Sequence, residues 1–362
     1  MPRQRVVVAM SGGVDSSLSA ALLKKAGYDV IGVTMQIWPA DAPDKDSGCC
    51  GTEAVASAKR VAYQLGISHF VMNFRDIFAQ QVIADFCQEY ACGRTPNPCI
   101  RCNQYIKFGA LMERAKWLDA DYLSTGHYAR IEASPDGYRL LKAVDFAKDQ
   151  SYFLYTLAQR ELSQLLMPIG NMLKTEVRQM AAELGLPSAD RRESQDICFI
   201  PDNDYRSFVA RYIPLQPGDI VDSKGVVLGR HCGLAQYTIG QRHGLGIAAD
   251  QPLYVLKLLV DTNQLLVGRE DQLLTSALIA SRLTWVSGQA PGANFMATAK
   301  IRHRSPEVPV KIRINGNTAI VIFEQPQRAV TPGQSIVFYQ GEVVLGGGII
   351  EDSEDATDTN VR

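Results

Sequence analysis

The fold of this chain is decided near its N-terminus, in the stretch Val6-Val7-Val8-Ala9-Met10-Ser11-Gly12-Gly13-Val14-Asp15-Ser16-Ser17. An apolar, β-branched run leads into a Ser-Gly-Gly-x-Asp-Ser turn, and Leu18, Ala21 and Leu22 follow at helical spacing. Two glycines let a backbone turn sharply and approach a ligand closely. Because loop N–H groups and a helix N-terminus would then meet, the stretch predicts an anion-binding site.

The kind of phosphate loop follows from what the stretch lacks. A G-x-x-x-x-G-K-S/T loop carries a helix lysine, and no such pattern occurs in the chain. The turn is instead similar to the PP-loop of ATP pyrophosphatases, enzymes that split ATP into AMP and pyrophosphate. The alternative interpretation is an ordinary glycine turn between a strand and a helix.

Length and composition set the broad class. A chain of 362 residues with 46% apolar and 21% charged residues is typical of two or three globular domains. No segment approaches the ~20 apolar residues of a membrane helix, so we expect a cytoplasmic protein without membrane contact. In that compartment eight cysteines indicate thiols, metal ligands or catalytic groups rather than a disulfide framework.

The first 200 residues alternate between strand and helix patterns, which favours a parallel α/β sheet. Further strands are predicted at 30–35, 70–72 and 122–125. Helices are predicted from a Thr52 cap to Gly66, over 77–92 and 103–117, and from Thr175 to Gly185. Ligands bind beyond the carboxyl ends of such strands, which groups the Ser11–Ser16 turn with Met35 and Gly126-His127.

Past Pro201, short alternating apolar runs predict two small, mainly antiparallel β domains. The predicted units are an ATP-binding catalytic domain (1–203), a central β-rich domain (204–272), a C-terminal β-barrel-like domain (273–351) and a disordered acidic tail (352–362). The net charge is −1, yet residues 275–340 hold seven Lys/Arg against two acids. A local basic face of this kind suits phosphate binding.

The cysteines carry the second signal. Residues 93–103 contain two prolines and a C-x-x-C (Cys99, Cys102), read as a stiff loop before a helix that starts at Asn103. A helix start and the neighbouring Arg101 would stabilise a thiolate. Cys198 stands alone near the end of the α/β region. Two thiolates converging on an ATP site suit sulfur transfer, in which one carries a persulfide and the other releases the sulfur.

These motifs together resemble the tRNA-specific 2-thiouridylase family over residues 3–350. The resemblance rests on the following stretches: Ser11-Gly-Gly-Val-Asp-Ser16, Gly48-Cys49-Cys50, Arg94 through Asn103, Lys107-Phe108, Thr125-Gly126-His127-Tyr128, Lys148 through Phe153, Cys198-Phe199-Ile200, Thr238 through Arg242, Gly244-Leu245-Gly246, and Arg328 through Gln334.

The resemblance implies that ATP and Mg²⁺ adenylate the 2-oxygen of a tRNA wobble uridine, which a persulfide sulfur then replaces. It makes Cys102 the nucleophile and Cys198 the persulfide carrier, transiently joined as a Cys102–Cys198 disulfide. The implied ATP contacts are Ala9, Met10, Ser11, Gly12, Gly13, Val14, Asp15, Ser16, Met35 and Gly126. The implied tRNA contacts are Asn97, Pro98, Cys99, His127, Lys148, Asp149, Gln150, Arg302, His303 and Gln334.

Several points stay open at the level of sequence. Some family members have Asp where this chain has Cys99, so a general acid/base role at that position is in doubt. An iron–sulfur cluster on Cys99, Cys102 and Cys198 is an alternative to the persulfide, and a zinc site a weaker one. A PP-loop synthetase that adenylates a small molecule would need neither Cys102 nor Cys198. The sulfur donor, a cysteine desulfurase or a relay protein, is not encoded here. We expect a monomer without a resident metal site.

Overall fold

A computed structural model describes residues 3–38, 51–189, 197–200 and 204–354. The strands are β1 (Arg5–Ala9), β2 (Asp29–Gln36), β3 (Ser68–Asn73), β4 (Tyr122–Ser124), β5 (Ala129–Ser134), β6 (Gly137–Lys142), β7 (Leu165–Leu166), β8 (Gly218–Val221), β9 (Val227–His231), β10 (Tyr254–Leu259), β11 (Gln264–Gly268), β12 (Leu274–Trp285), β13 (Asn294–Lys300), β14 (Val308–Asn315), β15 (Thr318–Arg328), β16 (Ser335–Gln340) and β17 (Val343–Glu354). The helices are α1 (Val14–Lys25), α2 (Thr52–Leu65), α3 (Arg75–Phe78), α4 (Ala84–Ala91), α5 (Pro98–Arg101), α6 (Met112–Lys116), α7 (Gln159–Leu162), α8 (Lys174–Glu183) and α9 (Tyr205–Ala210).

The N-terminal part is built on a five-stranded parallel sheet in the order β3-β2-β1-β4-β7. Val6, Val7 and Val8 of the central strand β1 are fully buried, as a strand covered on both faces requires. The predicted strands of this sheet are confirmed. The predicted end of α2 is also confirmed, since Gly66 takes the left-handed conformation (φ 59°). The predicted Thr52 cap is wrong, because Gly51 is the cap and Thr52 is the first helical residue.

Two of the helices contain π-helical turns. The segment Ala79–Ile83 joins α3 to α4, and the segment Cys102–Leu111 joins α5 to α6. The second helix therefore runs over residues 98–116, and the predicted start at Asn103 is wrong. Its two prolines favoured a loop, but Pro98 occupies the first turn, where a missing N–H costs nothing. Cys99 and Cys102 are consequently both inside the helix.

A hairpin that the sequence analysis did not predict connects the first domain to the last. Strands β5 and β6 pair antiparallel around the two-residue turn Pro135-Asp136, and Gly137 pairs with Ser134 as the first residue of β6; a Pro-Asp-Gly sequence is a turn signal. Gly137 takes a φ of 118°, which side chains rarely allow. Strand β6 then pairs with β17 at Leu141 and Val343, so the hairpin extends the C-terminal sheet.

The remaining strands form two β domains. The first is a four-stranded sheet in the order β10-β11-β8-β9, with one parallel pair, β11 and β8. In the second, β12 pairs with both β15 and β17, which closes β12-β15-β14-β13-β16-β17 into an antiparallel barrel. The predicted fold class is confirmed. Strand β17 extends to Glu354, three residues into the predicted tail; residues 355–362 lie outside the described part.

Within the described residues, no helix combines the length and the apolar character that crossing a bilayer demands.

Candidate active site

A cavity of about 330 Å³ opens at the carboxyl edge of the parallel sheet. Its walls come from the glycine turn after β1, from β2, from the residues that follow β4, and from the helix at 98–116. Residues 197–199 complete the lining. The cavity therefore lies where ligands bind in open α/β sheets.

The glycine turn is held mainly by its own hydroxyl groups. The Ser16 Oγ donates to the Gly13 carbonyl at 3.1 Å and accepts from the Ser11 N–H at 3.2 Å. The Ser57 Oγ of α2 donates to the Gly12 carbonyl at 2.9 Å. Gly13 caps α1 without a side-chain hydrogen bond, so no cap side chain competes for the first-turn N–H groups. The predicted strand–turn–helix is confirmed, and it presents a positive helix end to the cavity.

Asp15 is bound by protein groups. Its carboxylate accepts from Lys174 Nζ at 2.6 and 2.8 Å and from the Tyr128 hydroxyl at 2.7 Å. The Lys174 side chain is only 9% exposed. Asp15 therefore ties the turn to α8 and to the segment after β4. The sequence analysis missed both partners, although a lysine at the first position of a helix opposes the helix dipole and so indicates a specific partner.

Gly126 brings the segment after β4 directly against α1. A Cβ added there would lie 2.7 Å from the Ser16 nitrogen and 2.8 Å from the Asp15 carbonyl carbon. Met35 lines the same end of the cavity from β2. Among the predicted ATP contacts, Ala9, Met10, Ser11, Asp15, Ser16, Met35 and Gly126 line the cavity, whereas Gly12, Gly13 and Val14 form the turn behind it.

The three predicted cysteines line this same cavity. Cys99 is exposed in the first turn of the helix at 98–116, Cys102 is half-buried one turn later, and Cys198 is half-buried in the segment 197–200. The structure thus places the predicted pair Cys102 and Cys198 beside the glycine turn. The matched stretch Gly48-Cys49-Cys50 and residues 194–196 lie outside the described residues.

A metal-binding arrangement of the cysteines is not found in the described part of the chain. No group of three or more His, Cys, Asp or Glu side chains there could hold a metal ion. Cys99, Cys102 and Cys198 share the cavity without forming such a group.

His127 is buried and bridges two walls of the cavity. Its Nδ1 lies 2.7 Å from the Thr125 Oγ1, and its Nε2 lies 3.3 Å from the Lys107 Nζ. Burial, and then the charge of Lys107, hold the pKa of His127 well below its usual value, so the ring is neutral at pH 7. Because the lysine can only donate, Nε2 accepts and Nδ1 carries the hydrogen donated to Thr125. The sequence analysis assigned no role to Lys107.

The predicted tRNA contacts near the hairpin have different surroundings. Gln150 lines the cavity, and its Oε1 accepts from the Tyr128 N–H at 3.0 Å. Asp149 is 5% exposed, and its carboxylate accepts from the Ala143 N–H and from the Ser151 N–H and Oγ. The Asp149 carboxylate thus has a structural use. Lys148 is half-buried and is not part of the lining.

The predicted tRNA contacts of the barrel mostly face protein. The Gln334 Nε2 donates to the carbonyls of Thr95 at 2.9 Å and Pro96 at 3.3 Å, directly before the cysteine helix. The His303 ring lies 4.4 Å from that of Phe153, a lining residue. Arg302 donates to Ala329 and Thr331 within the barrel. Of the predicted basic face, Lys311 and Arg313 are exposed on β14.

Comparison with known proteins agrees with this architecture. Family profiles match residues 4–202 (tRNA methyl transferase HUP domain), 206–269 (tRNA methyl transferase PRC-barrel domain) and 275–350 (Aminomethyltransferase beta-barrel domain). The tRNA-specific 2-thiouridylase MnmA of Halothermothrix orenii is 49% identical over 96% of this chain and 99% of its own. The MnmA of Roseiflexus castenholzii is 51% identical over the same shares.

Among solved structures, a 4-thiouridine synthetase–RNA complex with bound ATP is similar with a TM-score of 0.34 and 15% identity. The similarity covers 58% of this chain and 50% of that one.

Fold and site together define a HUP-type α/β nucleotide-binding domain with a cysteine-lined cavity, followed by two β-barrel-type domains. Within that class, the near-full-length relatives decide the family. The chain belongs to the tRNA-specific 2-thiouridylase family, MnmA.

Proposed function

We propose that this enzyme of the thiouridylase family uses ATP to replace the 2-oxygen of a tRNA wobble uridine by sulfur. One observation carries the proposal: Cys102 and Cys198 line the same cavity as the glycine turn after β1. A nucleotide site alone would suit many adenylating enzymes. A pair of thiols beside it adds the groups that sulfur transfer needs.

The first step is adenylation of the uridine. The 2-oxygen attacks the α-phosphorus of ATP, an O–P bond forms, and pyrophosphate leaves with the electron pair of the α–β bond while the base loses its N3 proton. First-turn N–H groups of α1 stabilise the departing charge by fixed dipoles. The base has to leave its stack to reach this depth.

The second step moves the sulfur. The terminal sulfur of a Cys198 persulfide attacks C2, and AMP leaves with the electron pair of the C2–O bond. The Cys102 thiolate then attacks Cys198 Sγ, and the electron pair of the broken S–S bond stays on the sulfur attached to C2. The products are 2-thiouridine, AMP and a Cys102–Cys198 disulfide, which an external thiol must reduce.

Magnesium would arrive with the phosphates. Asp15 is the only carboxylate among the described lining residues, and Lys174 and Tyr128 already bind it. Ser11, whose hydroxyl belongs to the lining, would be the protein group available to a Mg²⁺ that arrives with ATP. Such an ion neutralises phosphate charge.

The partners follow from the same chemistry. The C-terminal domain (273–351) would bind tRNA phosphates, with Lys311 and Arg313 as exposed cations. Asn97, Pro98 and Cys99 would meet the flipped base, and His127, Gln150 and Lys148 its neighbours. A cysteine desulfurase or a relay protein would supply the persulfide to a monomer in the cytoplasm, where tRNA and ATP are available.

The test is thiolation of bulk tRNA with ATP and a labelled persulfide, followed by nucleoside analysis. Cys102→Ala and Cys198→Ala should each lower 2-thiouridine formation at least about 1,000-fold, because each removes a reacting atom. Affinity for tRNA should stay within about twofold. Cys92→Ala, at an exposed cysteine outside the lining, is the matched control and should stay active.

Full 2-thiouridine formation by either variant would refute the two-thiol scheme. Absence of 2-thiouridine formation by the wild type would favour an enzyme that adenylates another substrate. Iron counting on anaerobically purified enzyme separates the persulfide from a cluster. Iron that is required for thiolation would contradict our proposal.

A further inference from the structure

Lys107 lies in the cavity wall without a role in the chemistry so far described. It is half-buried in the π-helical segment Cys102–Leu111 and lines the cavity. A π-helix closes hydrogen bonds between residues five apart, so Cys102 and Lys107 are successive positions along one side of the helix. The side chain therefore belongs to the same wall as Cys99 and Cys102.

The charges around the cavity make Lys107 distinctive. Among the described lining residues it is the only Lys or Arg. The Asp15 carboxylate is bound by Lys174, and the buried His127 ring is neutral at pH 7. The described lining thus offers one ammonium group to a site that must hold phosphates and thiolates.

The ammonium is held at the junction of the nucleotide and thiol walls. The His127 Nε2 accepts from Lys107 Nζ at 3.3 Å, while Nδ1 donates to Thr125. His127 follows Gly126, which packs against the first turn of α1. A lysine has three donors, so this bond leaves capacity for a ligand oxygen.

We propose that Lys107 is a further catalytic residue, whose ammonium bonds the α-phosphate and stabilises AMP as it leaves in sulfur transfer. This inference rests on the proposed function. When the C2–S bond forms and the C2–O bond breaks, the electron pair goes to the AMP oxygen, and the phosphate gains one negative charge. A fixed ammonium at that oxygen lowers the barrier of this step.

The experiment is single-turnover kinetics with persulfide-loaded enzyme, ATP and tRNA, in which pyrophosphate and AMP release are followed separately. Lys107→Gln keeps an N–H donor for His127 but removes the charge. It should slow AMP release about 100-fold, the usual cost of losing one charge-stabilising donor, and pyrophosphate release less than about tenfold. Lys107→Arg restores the charge and should recover at least about tenfold of the loss.

Lys116→Gln, at the end of the same helix and outside the lining, is the control and should match wild type. AMP release by Lys107→Gln within about threefold of wild type would overturn the proposal. Equal slowing of both steps with weakened tRNA binding would also overturn it, since that pattern marks a structural role. If wild type itself makes no 2-thiouridine, the proposed function fails, independently of Lys107.

Discussion

The two halves of the cavity are held in place in different ways. The nucleotide half consists of Ser11, Asp15, Ser16 and Gly126, and hydrogen bonds within the glycine turn itself supply much of its shape. The thiol half consists of Cys99, Cys102 and Cys198, and its helix begins beside the barrel, more than 200 residues away in the chain.

Contacts between the barrel and the start of the cysteine helix are numerous. The Thr95 N–H donates to the Pro332 carbonyl at 2.8 Å, and Gln334 bonds the carbonyls of Thr95 and Pro96. The Arg94 guanidinium joins Glu89 at 2.6 Å and also Glu351 of β17.

Under the proposed function, phosphate binding and sulfur transfer would therefore depend on separable parts of the fold. A backbone turn with a helix dipole can hold an anion wherever a strand and a helix meet. Placing one thiol at a substrate atom and a second thiol within reach of the first needs elements from distant parts of the chain, because a displacement of about 1 Å can cost about 100-fold in rate.

The largest effect should come from Lys174→Met, which breaks the nucleotide half. The variant leaves the Asp15 carboxylate without its cation. The free energy of unfolding should therefore fall by about 2–4 kcal/mol. The loss is limited because the Asp15 side chain is 26% exposed and water can partly solvate it. ATP-dependent pyrophosphate release should fall in parallel. Chemical denaturation gives the first value. Lys116→Met, which breaks the exposed pair with Glu113, should change stability little. Equal stability of the two variants would show that the buried pair is dispensable.

Substitutions at two glycines test whether the nucleotide half and the thiol half of the cavity can be disturbed separately. A Cβ at Gly126 would meet the Ser16 nitrogen at 2.7 Å, and one at Gly333 (φ 89°) would meet the Thr95 nitrogen at 2.8 Å. Gly126→Ala should therefore raise the KM for ATP about tenfold or more. Gly333→Ala should leave that KM unchanged and slow sulfur transfer about tenfold.

Steady-state kinetics in ATP and single-turnover thiolation separate these two effects. Gly292→Ala is the control, since a Cβ there has no neighbour nearer than Asn294 O at 3.8 Å. If both variants change KM and sulfur transfer in the same ratio, the two halves are not separable.

The smallest effect should come from Gln334→Ala, which weakens the support of the thiol half by the barrel. It removes two hydrogen bonds to the turn before the cysteine helix, worth about 1 kcal/mol together in a partly exposed setting. Thiolation should slow about fivefold with pyrophosphate release nearly unchanged. Gln327→Ala is the control, because within the described residues that amide donates to the carbonyls of its neighbours Gln325 and Pro326. Slower pyrophosphate release in Gln334→Ala would contradict a role limited to the thiols.

Prediction from sequence succeeded where a pattern is local. The strand–turn–helix of residues 5–25, four of the five strands of the parallel sheet and the change to β domains all depend on residues close together in the chain. The short strand β7 was not predicted. Prediction failed at the start of two helices: Thr52, predicted as a cap, is the first residue of α2, and Pro98, predicted to lie in a loop, is the first residue of α5. Threonine and proline occur both in loops and at helix starts, so the residue type alone does not locate the first helical residue. The hairpin at 129–142 was missed although its Pro-Asp-Gly sequence is a turn signal.

The site shows the same division. The three cysteines and the glycine turn could be named from their motifs, and they do line one cavity. Lys107, Lys174 and Tyr128 could not be named from sequence. Lys107 contacts His127, and Lys174 and Tyr128 bind Asp15, and these contacts between distant residues exist only in the folded chain.

Residue order was therefore sufficient for the strand–turn–helix of residues 5–25 and for the fold class, since backbone geometry and apolar periodicity act over a few residues. The neutral state of His127, the ion pair of Asp15, and the support that Gln334 lends to the cysteine helix arise in the folded protein. Burial and hydrogen bonding between distant segments set these properties, and no local pattern encodes them.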